Sequence, residues 1–467
     1  MWFDEAATIS ASTRSVPELW RLIHNIDAVH GLYYLVMQGW FAIFPATEFW
    51  SRLSSGLAVG VAAAGVVVLG KQLSGRTVAV CAGIVFAILP RITWAGIEAR
   101  SYALTAAAAV WLTVLLVNAV RRNGAALWPV YAVALVLATL LNVFTVLMVL
   151  AHAVVIAVLA ETRSTVVRWA VSSGVAVVIV TPFLVFCRMQ IAQVRWISPP
   201  DAGTVLDIAQ EQYFDDSVPF AILAGVVLVA PLMFRRFRAP GNRTLVFIAV
   251  AWIALPTAVL LPYSVWQSPI YYPRYLCFTS PAMALLLAIG IVAVARTRER
   301  VTAVLAVFAL AATPNYLLTQ RGPYAKEGMD FSQVADVITA HASAGDCLIL
   351  DNTATWKPGP IRPLTAARPA AYAKLIDPGR GQRAAERNRL WDAHIAIWSV
   401  ADHVRQCTVL WTVSERDNTV PERQSGYGLD PGPRLRRAPA YQVPQGLGFH
   451  IVERWQFSFA QVVKSTR

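Results

Sequence analysis

Two stretches, Ala221–Phe234 (AILAGVVLVAPLMF) and Ala282–Ala295 (AMALLLAIGIVAVA), contain no charged or polar side chain. Similar runs of nearly 20 residues recur between Leu53 and Leu318. That length crosses about 30 Å of hydrocarbon. Of 467 residues, 57% are hydrophobic and 14% charged, against roughly 25% charged in a soluble chain. The pattern is that of an α-helical polytopic membrane protein. Ten spans are expected, at 53–70, 77–93, 101–120, 127–141, 143–160, 168–186, 218–234, 243–261, 273–295 and 300–318. The apolar run 127–160 is too long for one span and is broken near Asn142.

A net charge of +13 first suggests nucleic acid, but many of the cations stand in short loops between apolar runs. One set of loops holds Lys71, Arg76, Arg121, Arg122, Arg163, Arg168, Arg235, Arg236, Arg238, Arg243, Arg296, Arg298 and Arg300. The opposite set holds only Arg91, Arg100, Arg188, Arg195 and Arg274. The richer set is cytoplasmic by the positive-inside rule, which puts residues 1–52 and everything after about Gln320 outside. Anionic lipid headgroups are a second partner for the basic loops.

Within residues 1–52, VPELWRLIHNID (16–27) reads as an amphipathic surface helix, opened by a Ser15/Glu18 capping box. Leu19, Trp20, Leu22, Ile23 and Ile26 share its apolar side, and Asp27 lies on the solvated side. GLYYLVMQGWFAIF, about 15 residues, is too short for a comfortable span and is expected to dock in the outer leaflet. Residues 53–318 form the transmembrane domain. Residues 319–467 change character: DFSQVADVITAHASAGDCLILD (330–351) reads as helix, Gly-Asp turn and buried strand. NRLWDAHIAIWSVADHV (388–404) reads as a second helix, CTVLWTV (407–413) as a second strand, and the Pro-rich KPGPIRPLTAARPAAY (357–372) as loop. This is an extracytoplasmic α/β domain of roughly 145 residues, large enough for its own core. Cys347 and Cys407 each begin an expected strand there, in a compartment where disulfides persist, and they are expected to be bonded. Cys81, Cys187 and Cys277 stand in or near apolar segments and are packing residues. No Cys or His spacing suggests zinc.

Four polar clusters fall at the outer ends of apolar helices. They are Asp4 with Glu5; DAVHGLYY, with Asp27 and His30; GIEARSYAL, with Glu98, Arg100 and Tyr102; and SPIYYPRYL, with Tyr271, Tyr272, Arg274 and Tyr275. Singly, each suits an interfacial ion pair, a snorkelling arginine or an aromatic belt. Together they suit a sugar–phosphate reaction, in which a carboxylate takes a hydroxyl proton and cations hold a leaving phosphate.

Five motifs stand in one order: WFDEA, HGLYY, RLSSGLAVG, IEARSYAL and PRYLCFTSPAMALLLAIG. In that order they resemble the GT-C glycosyltransferases, in particular the polyprenyl-phosphate-mannose-dependent branch, over about residues 2–295. The resemblance implies a lipid-phosphate sugar donor, with mannose as the sugar ahead of arabinose or another polyprenyl-linked sugar, and an extracytoplasmic site in the cell (plasma) membrane. The acceptor hydroxyl belongs to a glycan, a glycolipid or a protein. The resemblance implies Asp4 as catalytic base, with Glu5 and Glu98 as supporting acids. Arg100, Arg274, His30, Tyr33 and Tyr102 fall where donor phosphate or lipid is held. No cofactor is required by this chemistry, and a divalent cation is left open. Two features depart from the pattern. HGLYY stands where relatives have PPLYY, and the usual first helix is missing, so the reading frame is expected to continue upstream into a hydrophobic helix of about 20 residues. A transporter or flippase, and an inactive GT-C-like scaffold, are the competing readings. The transporter requires buried ionisable residues at mid-membrane and internal repeats.

Overall fold

The computed structural model describes residues 1–122, 124–233, 240–322, 325–352 and 361–467. Arg235, Arg236, Arg238 and the first part of the Pro-rich segment lie outside the described residues. The chain divides into two compact units. One comprises Asp27–Val36 and Phe49–Gln320; the other comprises Met1–Ile26, Met37–Glu48 and Arg321–Arg467.

The chain begins with α1 (Phe3–Ser12), α2 (Val16–Asn25) and α3 (Gly31–Phe41). The capping box that opens α2 is present. The Glu18 carboxylate accepts from the Ser15 backbone N–H at 2.9 Å and from Ser15 Oγ at 2.7 Å. Leu19 and Leu22 are buried, but Trp20, expected beside them, is 61% exposed.

The helical unit continues with α4 (Glu48–Leu73), α5 (Arg76–Ile88), α6 (Pro90–Gly96), α7 (Tyr102–Arg122) and α8 (Leu127–Leu141). Every expected span has a helical counterpart. Among the described residues, six helices are long and apolar enough to cross a membrane. Two bent pairs, α5 with α6 at 61° and Thr204–Phe214 with Val218–Ala230 at 95°, raise the number to eight if each is one span. Pro90 accounts for the first bend, since its ring cannot continue the helix ending at Ile88. The long apolar run breaks at Asn142, whose side chain accepts from the Phe144 N–H at 2.9 Å. Small residues allow close helix packing: a Cβ at Gly290 would stand 2.6 Å from the Val227 carbonyl oxygen.

The second unit is built on a five-stranded sheet. Its strands are β1 (Cys347–Leu350), β2 (Val409–Glu415), β3 (Arg423–Ser425), β4 (His450–Gln456) and β5 (Ala460–Thr466), in the order β1-β2-β5-β4-β3. Only β1 and β2 run parallel. The CLIL run is buried throughout because both faces are covered. Leu348 and Leu350 join one core with Ile338, Trp411 and Val462, while Cys347 and Ile349 join the other with Val404 and Phe449. Gly345, at φ +90°, makes the expected turn before β1. Helix α1 packs into the first core through Ala6 and Ile9.

Two expectations fail in this unit. From Arg362 the Pro-rich stretch forms two short helices, Arg362–Ala367 and Pro369–Tyr372, each with proline in its first turn, where a missing N–H costs nothing. The stretch 388–404 is helical only at its end, in Ile397–Val400 and Ala401–Val404. Its earlier part is held by a bridge from Arg380 to His394 and by backbone bonds from Ala393 and Ile395.

Cys347 and Cys407 are bonded, with Cα atoms 6.0 Å apart and a sequence separation of 60. Closing a loop of that length restricts the unfolded chain. Cys347→Ser with Cys407→Ser is expected to lower the stability of this unit by about 2–4 kcal/mol, read as an earlier denaturant midpoint in the near-ultraviolet signal of its tryptophans.

Candidate active site

In the helical unit the polar clusters collect around two turns. The first follows α2. Asp27 adopts a left-handed conformation, φ 66°, tolerable for aspartate. That turn reverses the chain and takes Asp27 out of water, to 8% exposure, so the expected solvated position is corrected. The Asp27 N–H donates to Gln193 Oε1 at 3.2 Å, and its carboxylate accepts from the Tyr34 hydroxyl. The second turn, residues 97–101, joins α6 to α7. There Glu98 is fully buried, Arg100 is 7% exposed, and the Glu98 carbonyl accepts from Ser55 Oγ at 2.6 Å.

Arg100 ties the turns together. Its Nη1 donates to the Tyr34 hydroxyl at 3.3 Å, and its Nη2 meets His30 Nε2 at 2.7 Å. A guanidinium has no acceptor, so His30 Nε2 accepts and the ring proton sits on Nδ1. The 3.8 Å approach of His30 Nε2 to Asp27 is therefore not an ion pair. His30 serves Arg100 as a neutral acceptor.

Arg274 sits in an aromatic setting, 4.7 Å from the Tyr272 ring centre and 5.9 Å from that of Trp94. At 8% exposure it is not a snorkelling anchor. Trp94 also lies 5.1 Å from the Arg91 guanidinium and 5.4 Å from the Tyr102 ring. Arg91 pairs with Asp215 at 2.8 Å and Glu211 at 3.5 Å. Tyr271 is buried, and its hydroxyl donates to Gln212 at 2.9 Å; it is a packing residue rather than part of an interfacial belt. Tyr33 and Tyr102 are also buried. Sequence reasoning missed Tyr34, Trp94, Arg91, Asp215 and Glu211; only the aromatic doublet at 33–34 hinted at one of them.

Asp4 and Glu5 belong to the other unit, in the first turn of α1. Asp4 is half-buried and Glu5 fully buried, so neither is a solvated terminal acid. The Asp4 carbonyl accepts from Thr8 Oγ1 at 3.3 Å. Among the described residues, no group of three His, Cys, Asp or Glu side chains is arranged to hold a metal ion. His152 is fully buried among apolar helices, but Tyr131 meets its Nδ1 at 2.8 Å and Thr113 its Nε2 at 3.1 Å. Both ring nitrogens are thus engaged in packing contacts.

No family model matches the sequence, and no curated protein is detectably similar to it. Solved structures are similar. ArnT from Cupriavidus metallidurans in the apo state superposes with a TM-score of 0.61 at 13% identity, over 99% of this chain and 93% of ArnT. The chain has the GT-C fold. The structure of the same ArnT bound to undecaprenyl phosphate matches at a TM-score of 0.58 and 13% identity, over the same shares of the two chains. On this GT-C fold, then, Arg100 is buried in a hydrogen-bonded network and Arg274 is buried among aromatic rings.

The network predicts its own sensitivity. Asp27→Ala leaves the buried Tyr34 hydroxyl without its acceptor, at a cost of about 1–3 kcal/mol. The variant is expected to melt earlier in detergent, and the double variant Asp27→Ala with Tyr34→Phe, which removes the donor as well, is expected to melt closer to the parent.

Proposed function

We propose that this protein is a membrane-embedded glycosyltransferase that moves a sugar from a polyprenyl-phosphate donor to an acceptor hydroxyl. The observation that carries the reading is the pair of buried guanidiniums, Arg100 and Arg274, within a GT-C fold. Guanidinium forks suit phosphate oxygens. The undecaprenyl phosphate in the ArnT structure supports a donor of that class. The ordered motifs favour mannose as the sugar, and a glycan, glycolipid or protein as acceptor.

The chemistry is one inverting displacement. The acceptor oxygen forms a bond to the sugar anomeric carbon as the bond from that carbon to the phosphate oxygen breaks. The acceptor proton goes to a carboxylate, and the electron pair leaves with the polyprenyl phosphate. A phosphate is already a good leaving group, so the hydroxyl is the reactant that needs help, and its base must reach within about 2.6–3.2 Å. We assign that base to Asp4, on the WFDEA motif. Glu5 and Glu98 support the charge balance. Arg100 and Arg274 stabilise the departing phosphate, His30 orients Arg100, and Tyr33 and Tyr102 pack against donor. The loop charges and the Cys347–Cys407 bond support a plasma-membrane protein with its reaction and its α/β unit on the extracytoplasmic side.

Purified protein given labelled polyprenyl-phosphate mannose and membrane acceptors tests this. Asp4→Asn is expected to retain donor binding and to lower turnover by at least about 100-fold, with Glu5→Gln hurting less. Near-normal transfer by Asp4→Asn overturns the base assignment and points to Glu98 or Asp27. Absence of transfer from any polyprenyl-phosphate sugar by the parent overturns the function itself.

A further inference from the structure

The α/β unit carries a half-open cavity of about 330 Å³, within the ~300–1,000 Å³ range of small-molecule sites. Its wall carries Arg14, Arg362, Arg380 and Arg383 against only Asp377 and Asp392. Arg362 is 2% exposed; it pairs with Asp377 and meets His394 Nδ1 at 3.2 Å. Asp377 is thus already answered, and the balance of charge in the wall is positive. Arg380 and Arg383 are exposed, and among the described residues they form no ion pair. The Asp392 carboxylate accepts the Ala384 N–H at 2.7 Å.

Two buried donors in this wall lack acceptors among the described residues: the Arg362 Nε–H and the Tyr372 hydroxyl, on a side chain 8% exposed. An orphaned buried donor is costly, and two beside one cavity call for a ligand with acceptor oxygens. Burial pushes the Tyr372 phenol well above its ordinary range, so it keeps its proton. Burial, reinforced by Arg362, lowers His394 to about 4, so it is a neutral acceptor for that arginine. Leu348, Pro369 and Leu375 add apolar surface, of a kind that packs on the C–H face of a sugar ring. The volume exceeds the needs of a bare phosphate ion.

We propose that this cavity binds an anionic saccharide, a sugar carrying phosphate or carboxylate, with Arg380 and Arg383 meeting its charge and Arg362 and Tyr372 its ring oxygens. In a glycosyltransferase it would hold an acidic residue of the acceptor glycan. That role rests on the transferase reading; the binding itself does not.

Calorimetric titration of the full chain in detergent, at low ionic strength, tests binding without donor or turnover, so its failure and that of the transferase reading are separable. The probes are glucose 6-phosphate, glucuronate, glucose and inorganic phosphate. Saturable binding of the sugar phosphate or the uronate is expected, tighter than that of glucose or phosphate and weakened by salt. Arg380→Gln with Arg383→Gln, both at exposed positions, is expected to weaken it at least about tenfold. Tyr372→Phe, which keeps the ring, is expected to weaken it a few-fold. Absence of saturation with both anionic sugars overturns the site, as does unchanged affinity in the arginine double variant. Glucose binding as tightly overturns the anion assignment, and inorganic phosphate binding as tightly overturns the saccharide.

Discussion

Arg91 and Arg100 are almost wholly withdrawn from solvent, and a guanidinium has no neutral form to retreat into at any ordinary pH. Each must be answered by groups fixed around it. Arg91 draws Glu211 from the segment Thr204–Phe214 and Asp215 from the bend that follows it. Arg100 draws His30 and Tyr34, and through Tyr34 the carboxylate of Asp27. Arg91 stands in the first turn of α6, the short helix set off by Pro90, and Arg100 lies just beyond its end. The bend at that proline and the turn at 97–101 are therefore held from two sides by charge that cannot be dismissed. Removing one partner would leave a buried charge less well compensated, which costs more than a surface pair ever contributes.

Local chemistry was legible in the sequence. The Ser15/Glu18 box spans three residues, the Asn142 break ends a run too long for one helix, and Gly345 marks the turn before β1. These signals need no knowledge of distant residues. What could not be read depends on distant partners. Asp27 looked solvated because its helix was assumed to continue; a left-handed turn instead delivers it to Tyr34. The apolar spacing in 388–404 suits a helix, but Gly379 and Gly381 capture its backbone first. Trp20 shares a helical face with Leu19 and Leu22 without sharing their burial.

For the candidate site, residue types were legible and arrangement was not. Arg100 and Arg274 stood out as cations at the ends of apolar runs. Arg100 is hydrogen-bonded to His30, and Arg274 is held against the faces of Tyr272 and Trp94. A lysine at 274 would keep the charge and lose the planar stacking, a distinction that neither charge counts nor hydropathy expresses.

Helix α1 lies in a core whose remaining buried residues, Met1 apart, begin at Phe331. A ribosome adds about 5–20 residues per second, so roughly 15–65 s separate the emergence of Ile9 from that of its partners. For that interval the apolar side of α1 has no native surface to meet, while the membrane helices between are being inserted. The α/β unit thus closes only after the membrane helices are made, and its completion depends on a segment made earlier and kept waiting. Release of the chain before Trp411 and Val462 are made would leave α1 bare, a lesion at the far end of the sequence exposing the near one.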